Sequence, residues 1–369
     1  MKNKTISRIA YFKSDKEAIE LILNKRDLRQ SRTVSEKKNI VLIIMESFSL
    51  EYMEKGYMPF LSELQKRSLF FPYHLANGRR SIEALPSVLC GLPSLIDEPL
   101  SKSSFQGNNF LCMPKLLKNA GYTNVFFHGG AKGTMGFESY TLANGFDRYF
   151  SRSDYPDDKD FDGHWGIYDG PFFNFFIKQL KITREPFLAG FFSLSSHQPY
   201  SLPPEYKGKF PKGTLEIHAS IGYSDNCLKD FFEQAKKESW YENTIFIITA
   251  DHTSKLESKK YLNQIGRYRV PLMIFSPNMK WENVVTDKVT QHSDIPRTVL
   301  DLTGISGEEM PASGVSIFSS DHGYALNYAD GQDYLFVSRE EVLKLRKNGV
   351  PTNIVTGKQI GRASCRERV

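Results

Sequence analysis

The segment TIFIITADHT, residues 244–253, is an apolar run that ends in a carboxylate beside an imidazole. A short run rich in Ile, Thr and Phe is typical of a buried β-strand. Asp251 and His252 at its end need partners, because an unpaired polar or charged group is costly to bury. The run TIFIITAD (244–251) is therefore predicted to be an inner strand of a sheet with a ligand-binding group at its carboxyl end.

Similar apolar runs alternate with helical patterns along the 369-residue chain. The other predicted strands are NIVLIIME (39–46), TNVFFHG (123–129), PFLAGFFSLS (186–195) and VPLMIFS (270–276). Helical periodicity falls between them at 58–68, 113–121, 170–181 and 219–237. This alternation predicts an α/β fold with a central, mostly parallel sheet flanked by helices.

Groups that bind metals or phosphates follow four of the five predicted strands. They are Glu46, His128, His197 and the adjacent Asp251 and His252. Ligands of open α/β sheets bind outside the carboxyl ends of the strands, so these groups converge if the strands are parallel. Each alone has a structural explanation, such as a buried histidine with a hydrogen-bond partner or a helix cap. Their coincidence favours one shared site.

Composition excludes several classes of protein. The formal charge of +6 is small for this length and the basic residues are scattered, which gives no reason to expect a nucleic-acid partner. The small positive charge is compatible with binding an anionic substrate or a membrane surface. The longest apolar run, IVLIIM (40–45), is far short of the roughly 20 residues of a membrane-spanning helix. The N-terminus contains no apolar centre of a secretion signal.

The cysteines and the C-terminus carry two further expectations. Cys90, Cys112, Cys227 and Cys365 form no CxxC pair, which argues against a zinc ribbon or a disulfide framework and predicts buried free thiols. QIGRASCRERV (359–369) resembles the translation of a common DNA-sequencing adapter, and we exclude it from fold reasoning. The true C-terminus would then be missing, and Met1 becomes a candidate internal methionine of a longer protein.

The segment LANGRRSIEALPSVLCGLPSL, residues 75–95, predicts a nucleophile. Ser81 follows two arginines and precedes a helical pattern, and a helix N-terminus favours an anion. The alternative is a plain helix cap, although Glu83 arrives one residue early for a capping box counted from Ser81. Arg79 or Arg80 would hold a phosphate bidentately, or would be solvated.

These motifs together resemble a known family. The motifs that carry the similarity are, in chain order, a strand ending in MES, then ANGRRSIEALPS, LSSHQPY, ADHT and HSDIPRTVLDLTGI. They follow the family's order, and the chain is similar to the sulfatase-type domain of lipoteichoic acid synthases and related phosphoglycerol transferases, within the alkaline phosphatase superfamily. The resemblance spans residues 36–325. It implies a leading segment at 1–35 left after a lost membrane region, and a truncated, small C-terminal α+β part at 326–358.

The resemblance also implies a site. Glu46, Ser81, Asp251 and His252 would hold one divalent metal, with Ser81 in the position usually filled by a nucleophilic threonine. A mixed oxygen and nitrogen shell suits Mn²⁺ or Zn²⁺, with Mg²⁺ also open, and the family favours Mn²⁺. Ser81 would attack the phosphorus of an anionic phosphodiester and form a covalent intermediate. The metal, together with His197 and His128, would stabilise the negative charge on the phosphoryl oxygens.

The implied donor is phosphatidylglycerol, and the implied acceptor is a hydroxyl of a glycan or a growing glycerol-phosphate polymer. A Trp and an Arg that contact glycerol-phosphate in the polymerising synthases fall here near Met135 and Phe137, which argues against polymerisation and leaves an acceptor such as a periplasmic glucan. Trp165 is a candidate platform for a sugar or headgroup, with packing as the alternative. The family's membrane helices imply a full-length protein anchored at the extracytoplasmic face of the membrane.

Two other classes stay open. A sulfatase would need its nucleophile in a C/S-x-P-S-R frame, which SIEALPS does not provide. A phosphodiesterase or phosphatase that uses water as acceptor leaves no motif to test, although His292 and Asp294 are better suited to capping or packing than to a second metal. The other class is a non-catalytic module that senses glycerol-phosphate or a lipid headgroup.

Overall fold

The computed structural model describes most of residues 37–356. The exceptions are 104, 106–107, 109, 282–283, 308–309, 311–312, 319–322, 330–332 and 346–350. The expectations for the leading segment 1–35, for Cys365 and for the adapter-like stretch 359–369 lie outside the described residues. Within the described part, every helix is too short or too polar to cross a membrane.

A seven-stranded sheet forms the centre of the molecule. The first nine strands of the chain are β1 (Asn39–Met45), β2 (Leu69–Phe70), β3 (Tyr73–Leu75), β4 (Thr123–His128), β5 (Arg148–Phe150), β6 (Phe187–Phe192), β7 (Thr244–Ala250), β8 (Leu272–Phe275) and β9 (Val289–Gln291). The order in the central sheet is β2-β8-β7-β1-β6-β4-β5, and β3 pairs with β9 in a small separate sheet. The pairs from β7 to β5 are parallel, whereas β8 is antiparallel to both of its neighbours. The predicted mostly parallel sheet is confirmed.

Strand burial explains why the apolar runs were such clear signals. All seven residues of β1 and of β7 are buried, as expected for parallel strands covered on both faces. Along β1 the side chains alternate: Val41 and Ile43 pack into one core, and Ile40 and Leu42 into the core on the opposite face. All five predicted strands form, and each ends one to three residues earlier than predicted. After β1 and β7, the reason is that Glu46 and Asp251 turn into the hydrogen bonds of the site.

Helices cover both faces of the sheet. They are α1 (Leu50–Glu54), α2 (Pro59–Gln65), α3 (Ser81–Cys90), α4 (Met113–Asn119), α5 (Phe137–Ala143), α6 (Asp169–Leu180), α7 (His218–Ala235) and α8 (Ile295–Thr303). One core contains the buried side chains of α1, α2, α6 and α7, and the other contains those of α3, α4, α5 and α8. The four segments with predicted helical periodicity correspond to α2, α4, α6 and α7.

The C-terminal region forms a second, smaller sheet. Its strands are β10 (Ala325–Ala329), β11 (Asp333–Val337), β12 (Glu341–Leu345) and β13 (Pro351–Thr356), paired antiparallel in chain order. The predicted small α+β part thus contains strands but no helix among its described residues. Asn327 of β10 donates to the carbonyl oxygen of Ala76 at 2.6 Å and so ties this sheet to the segment just before Ser81.

The cysteine prediction is wrong for two of the four residues. Cys90, the last residue of α3, and Cys112, which precedes α4, form a disulfide with a Cα–Cα distance of 4.3 Å. The absence of CxxC spacing says nothing about cysteines that only the packing of two helices brings together. Cys227 is a buried free thiol, as predicted.

Candidate active site

Four neighbouring parallel strands bring the predicted site residues to one edge of the sheet. The strands β7, β1, β6 and β4 are adjacent in that order, so their carboxyl ends lie side by side. Glu46 follows β1, and Asp251 and His252 follow β7. His128 is the last residue of β4, and His197 lies in the turn after β6. The strand-end pattern in the sequence therefore corresponds to one place in the fold.

Three of these side chains form a compact cluster. Glu46, Asp251 and His252 each offer one potential metal-ligand atom, and these atoms all lie within 4.8 Å of one another. The Nε2 atom of His252 is 3.2 Å from Oδ2 of Asp251 and 3.8 Å from Oε1 of Glu46. Both carboxylates are buried, and the imidazole is the part of the cluster that reaches toward solvent.

Ser81 joins this cluster from the first turn of α3. Its hydroxyl donates to Oε2 of Glu46 at 3.1 Å and lies 3.2 Å from Nε2 of His252. The capping alternative for Ser81 is wrong, because the carboxylate of Glu83 satisfies the helix start by accepting from the backbone N–H groups of Arg79 and Arg80 at 2.8 and 3.1 Å. The serine hydroxyl is thereby left for the site.

Backbone donors orient the two acids and the imidazole. Ser47 adopts φ 59°, and in this left-handed conformation its N–H donates to Oδ1 of Asp251 at 2.8 Å while its hydroxyl donates to Oε1 of Glu46 at 2.6 Å. The Nδ1 atom of His252 is 2.8 Å from the carbonyl oxygen of Thr253. A carbonyl can only accept, so Nδ1 carries a proton, and the Nε2 lone pair of a neutral ring faces the acids.

The cluster fits a divalent cation. The Oδ2 atom of Asp251 is buried and accepts no hydrogen bond within the described part of the chain. Burial, reinforced by the neighbouring Glu46 carboxylate, raises the pKa of Asp251 to about 7. Burial also opposes ionisation of Glu46, but the attraction of His252 and His197 in their protonated forms, with the hydrogen bond from Ser47, outweighs it and lowers the pKa of that carboxyl. Two converging acids, an imidazole lone pair and a hydroxyl are the donor set that one divalent metal needs.

A turn after β6 holds Glu46 by its backbone. The hydroxyl of Ser193 accepts from the Glu46 N–H at 2.8 Å, and the hydroxyl of Ser196 donates to the Glu46 carbonyl at 2.6 Å. Asp169, at the start of α6, in turn accepts from the N–H groups of Leu194 and Ser195 at 2.7 and 3.2 Å. Sequence reasoning missed these residues, because they act on backbone atoms and carry no chemical signature of their own.

His128 and His197 lie beside the cluster in different environments. His128 is buried, with Nδ1 3.2 Å from the carbonyl oxygen of Phe192 and Nε2 without a hydrogen-bond partner among the residues described. Burial lowers the pKa of His128 to about 4, so its ring is neutral near pH 7. His197 is partly exposed, and its ring centroid is 4.3 Å from that of Trp165. Trp165 donates from Nε1 to the Gln198 carbonyl at 2.7 Å and leaves 38% of its surface exposed at the rim.

The structure shows side-chain contacts for Arg80 and a backbone contact for Arg79. The Arg80 guanidinium is half exposed and donates to Oε1 of Glu83 and, at 3.1 Å, to the carbonyl oxygen of Asp97. A phosphate would therefore compete with Glu83 for Arg80. Arg79 joins the site through its backbone N–H, which also bonds to Glu83.

The residues to which the sequence gives no role in metal or phosphate binding make packing contacts or backbone hydrogen bonds. Phe137 is buried with its ring centroid 5.3 Å from that of His128, and Met135 packs against the same core. Nε2 of His292 is 2.8 Å from the Ala250 carbonyl oxygen, and Asp294 accepts from the N–H groups of Gln291 and Val315, both at 2.9 Å. His292 and Asp294 therefore bind backbone atoms, as their predicted capping role requires.

Solved structures share this fold over nearly the whole chain. A protein of the alkaline phosphatase superfamily from Vibrio parahaemolyticus superposes with a TM-score of 0.80 and 22% identity, covering 94% of this chain and 92% of that one. The lipoteichoic acid synthase LtaP from Listeria monocytogenes gives 0.74 and 18%, with 92% of each chain covered. The predicted alkaline phosphatase and sulfatase type of fold is confirmed.

Curated proteins show the same relationship in sequence. Lipoteichoic acid synthase 2 of Bacillus subtilis is 26% identical over 80% of this chain and 50% of its own length. Phosphoglycerol transferase I of Escherichia coli is 24% identical over 74% of this chain and 38% of its own length. The chain thus spans about half the length of the lipoteichoic acid synthase it matches. The family model described as Sulfatase matches residues 38–305, and the chain belongs to the sulfatase family.

Proposed function

We propose that this chain transfers a phosphoglycerol group from phosphatidylglycerol, through a covalent intermediate on Ser81, to a hydroxyl of a glycan or polymer. The observation that carries the proposal is the position of the Ser81 hydroxyl, within hydrogen-bond reach of both Glu46 and His252. The similarity to a lipoteichoic acid synthase and to phosphoglycerol transferase I supports phosphoglycerol as the transferred group.

One divalent cation completes this proposal. Glu46, Ser81, Asp251 and His252 would hold it, and Mn²⁺ is our first choice over Zn²⁺ and Mg²⁺. When bound, such a cation acts as a Lewis acid that lowers the pKa of a hydroxyl and offsets negative charge on phosphoryl oxygens. The protein's own contribution is orientation, since Ser47 and Thr253 fix the Asp251 carboxylate and the His252 ring before any ligand arrives.

In the first half-reaction, Oγ of Ser81 forms a bond to the phosphorus, and the bond between phosphorus and the diacylglycerol oxygen breaks. Ser81 loses its hydroxyl proton and diacylglycerol gains one, so the proton count is unchanged. In the second half, the acceptor oxygen bonds to phosphorus, the bond to Oγ breaks, and Ser81 recovers a proton from the acceptor hydroxyl. Water in place of the acceptor would make the enzyme a phosphodiesterase.

The two histidines have distinct proposed roles. Because neutral His128 directs Nδ1 at a carbonyl oxygen, its proton lies on Nδ1, and Nε2 can only accept a hydrogen bond. Nε2 of His128 therefore suits a hydroxyl of the glycerol better than a phosphoryl oxygen. We assign stabilisation of the phosphoryl charge to His197, because it is partly exposed beside the cluster. Trp165, whose ring contacts that of His197, is the proposed platform for a sugar or headgroup.

The location follows from the proposed donor. A phospholipid that serves as donor is confined to a membrane, so we propose that the full-length protein works at the extracytoplasmic face of the cell membrane, where glycan acceptors are present. Nucleic acid has no place in this proposal, since the positive charge of the chain is small and scattered.

A labelled-donor experiment tests the proposed function. The protein loaded with Mn²⁺ is incubated with phosphatidylglycerol labelled in its glycerol headgroup, with and without glycan acceptors. We expect diacylglycerol release, label on the acceptor and, without acceptor, the mass of one glycerol-phosphate on the peptide containing Ser81. The Ser81→Ala variant should lose all three signals, whereas Ser139→Ala, at an exposed serine of α5, should keep them.

Two results would contradict parts of the proposal. Release of free glycerol-phosphate alone, whatever acceptor is supplied, would make the chain a hydrolase. Unchanged cellular function of Ser81→Ala, with retained binding of the lipid headgroup, would make it a sensor rather than an enzyme.

A further inference from the structure

An apolar cavity of about 420 Å³ lies against the helix that begins at Ser81. Its size falls within the range of about 300–1,000 Å³ that is usual for small-molecule sites. Nearly all of its wall is hydrocarbon, with Glu83 among its few polar residues. The apolar lining includes Pro86, Leu92, Pro93, Leu95, Ile96 and Leu100.

The cavity adjoins the first turns of the helix that carries the nucleophile. Glu83 and Pro86 line it, and they lie two and five residues after Ser81 on α3. They are about 3 and 8 Å along the helix axis from Ser81 but on other faces of the helix, so a ligand would reach the cavity around the start of α3. Arg80 lies at the join, since its guanidinium bonds to Glu83 and to the carbonyl oxygen of Asp97, just after the lining residue Ile96.

The apolar wall is built rather than incidental. The segment after α3 is held by backbone hydrogen bonds from Leu92 to Pro86 at 3.1 Å and from Ser94 to Asn77 at 3.2 Å. Leu95 is only partly buried and belongs to none of the described hydrophobic cores, and 40% of the Ile96 surface is exposed. Apolar side chains held open to water along the helix that carries Ser81 indicate a site for an apolar ligand.

We infer that this cavity holds the first methylenes of the acyl chains of the donor phospholipid. The inference rests on the proposed function, in which diacylglycerol is the leaving group. The oxygen that leaves phosphorus belongs to the diacylglycerol, so the acyl chains begin a few bonds from the atom that Ser81 attacks. Arg80, which is paired with Glu83, lies between the cavity and the start of α3. A sugar does not fit this wall, because its hydroxyls would find too few polar partners.

A series of soluble donors tests the inference on the unaltered protein. Glycerophosphoglycerol, which is the headgroup without acyl chains, is compared with dibutyryl- and dihexanoyl-phosphatidylglycerol below their micelle concentrations. We expect kcat/KM to rise by up to roughly fourfold for each methylene that enters the cavity. Turnover that is equal for all three donors would overturn the inference and leave the proposed function intact.

A binding measurement keeps the inference testable if no donor is turned over, a result that would count against the proposed function alone. Calorimetry with the Ser81→Ala variant, whose cavity is unaltered, should show tighter binding of dihexanoyl- than of dibutyryl-phosphatidylglycerol. Equal affinity for the two lipids would overturn the inference.

A pair of variants locates the effect. In Leu95→Asn/Ile96→Asn, the kcat/KM ratio of the dihexanoyl donor to the deacylated donor should fall at least about tenfold, since two apolar contacts become polar. Ile182→Asn is the matched control, because Ile182 is 78% exposed and lies just beyond the end of α6, and its ratio should stay unchanged. If the double variant unfolds, Ile96→Asn alone replaces it. A ratio that stays unchanged in a folded cavity variant would overturn the inference.

Discussion

Two buried polar clusters lie side by side in this molecule, and of the two only the first brings its described side chains together as a candidate metal site. The first is the active-site cluster of Glu46, Ser81, Asp251 and His252. The second, which we call the support cluster, consists of His74, His292 and Asp294, all buried. Both contain carboxyl and imidazole groups. The two clusters nearly touch at the end of β7, where His292 bonds to the carbonyl oxygen of Ala250 and the next residue is Asp251.

The clusters differ in where their lone pairs and protons go. In the support cluster, both oxygens of Asp294 accept backbone N–H groups, and both ring nitrogens of His292 contact backbone atoms of Ala250 and Asn77. Nδ1 of His74 is 3.0 Å from the Thr290 hydroxyl, and its Nε2 has no hydrogen-bond partner among the described residues. In the active-site cluster, Oδ2 of Asp251 accepts no hydrogen bond from any described residue, and a second acid converges on it. Residue type alone therefore does not mark a ligand site. The active-site cluster is distinguished by two acids, an imidazole and a hydroxyl that converge within ligand distance of one another.

The largest effect is expected from Asp251→Asn. This substitution removes a charged ligand, so affinity for Mn²⁺ should fall by more than about a hundredfold, and turnover should fall with it. Without metal the variant should be at least as stable as the parent, because burial and the neighbouring Glu46 disfavour the Asp251 charge and raise its pKa to about 7. Metal titration by calorimetry and denaturant unfolding in chelator check both points. Unchanged Mn²⁺ affinity would remove Asp251 from the ligand set.

Asp294→Ala should give the reverse result. The substitution leaves the buried N–H groups of Gln291 and Val315 without an acceptor, and we expect the free energy of unfolding to fall by about 2–4 kcal/mol. Affinity for Mn²⁺ should stay within about threefold of the parent value, a difference well under 1.4 kcal/mol. Denaturant unfolding and metal titration are measured on the same preparation. Loss of metal binding in a folded Asp294→Ala protein would show that the two clusters act as one.

The support cluster should also make the fold sensitive to acid. Burial, with a smaller contribution from His292, lowers the pKa of His74 well below its ordinary value. As the pH falls through about 6.5, His74 takes up a proton in the unfolded chain but stays neutral in the folded protein, which favours unfolding. Its contribution to stability is therefore present above about pH 6.5 and is lost as the pH falls below that value.

The comparison of the parent with His74→Gln isolates this contribution. The parent should lose up to about 1.4 kcal/mol per pH unit relative to the variant as the pH falls from 6.5 to 5. Denaturant unfolding of the metal-free proteins at several pH values measures the difference. A difference in unfolding free energy that does not change with pH would show that His74 is already protonated in the fold.

Much of the active-site cluster could be predicted because its signals are local. An apolar run followed at once by Glu46, or by Asp251 and His252, fixes both the strand and the position of the ligand at its end. Parallel strands then carry these ends to one edge, whatever the details of packing. The strongest sequence signals thus coincide with the candidate ligands.

What escaped prediction depends on contacts that no local pattern encodes. The Cys90–Cys112 disulfide arises from the approach of two helices, and the helix cap by Glu83 is evident only once Arg80, rather than Ser81, is known to precede the helix. Ser193 and Ser196 hold Glu46 by hydrogen bonds to its backbone. Other polar side chains of similar length could make such bonds, so the two serines form no recognisable motif. The antiparallel strands β10–β13 form from a stretch with only weak alternation of apolar and polar residues. Hydrogen bonds to distant segments, such as that from Asn327 to Ala76, fix their position.

The smallest effect is expected at the rim of the active-site cluster. Trp165→Phe keeps a ring beside His197 but loses the hydrogen bond to the Gln198 carbonyl, so stability should fall by only about 0.5–1.5 kcal/mol and metal affinity should not change. If the ring face is a platform, transfer to a glycan acceptor should survive in Trp165→Phe and fall in Trp165→Ala, with KM for the acceptor rising rather than kcat falling. Acceptor-dependent kinetics of the two variants decide between the alternatives. Equal acceptor KM values in both variants would assign Trp165 to packing against the turn after β6.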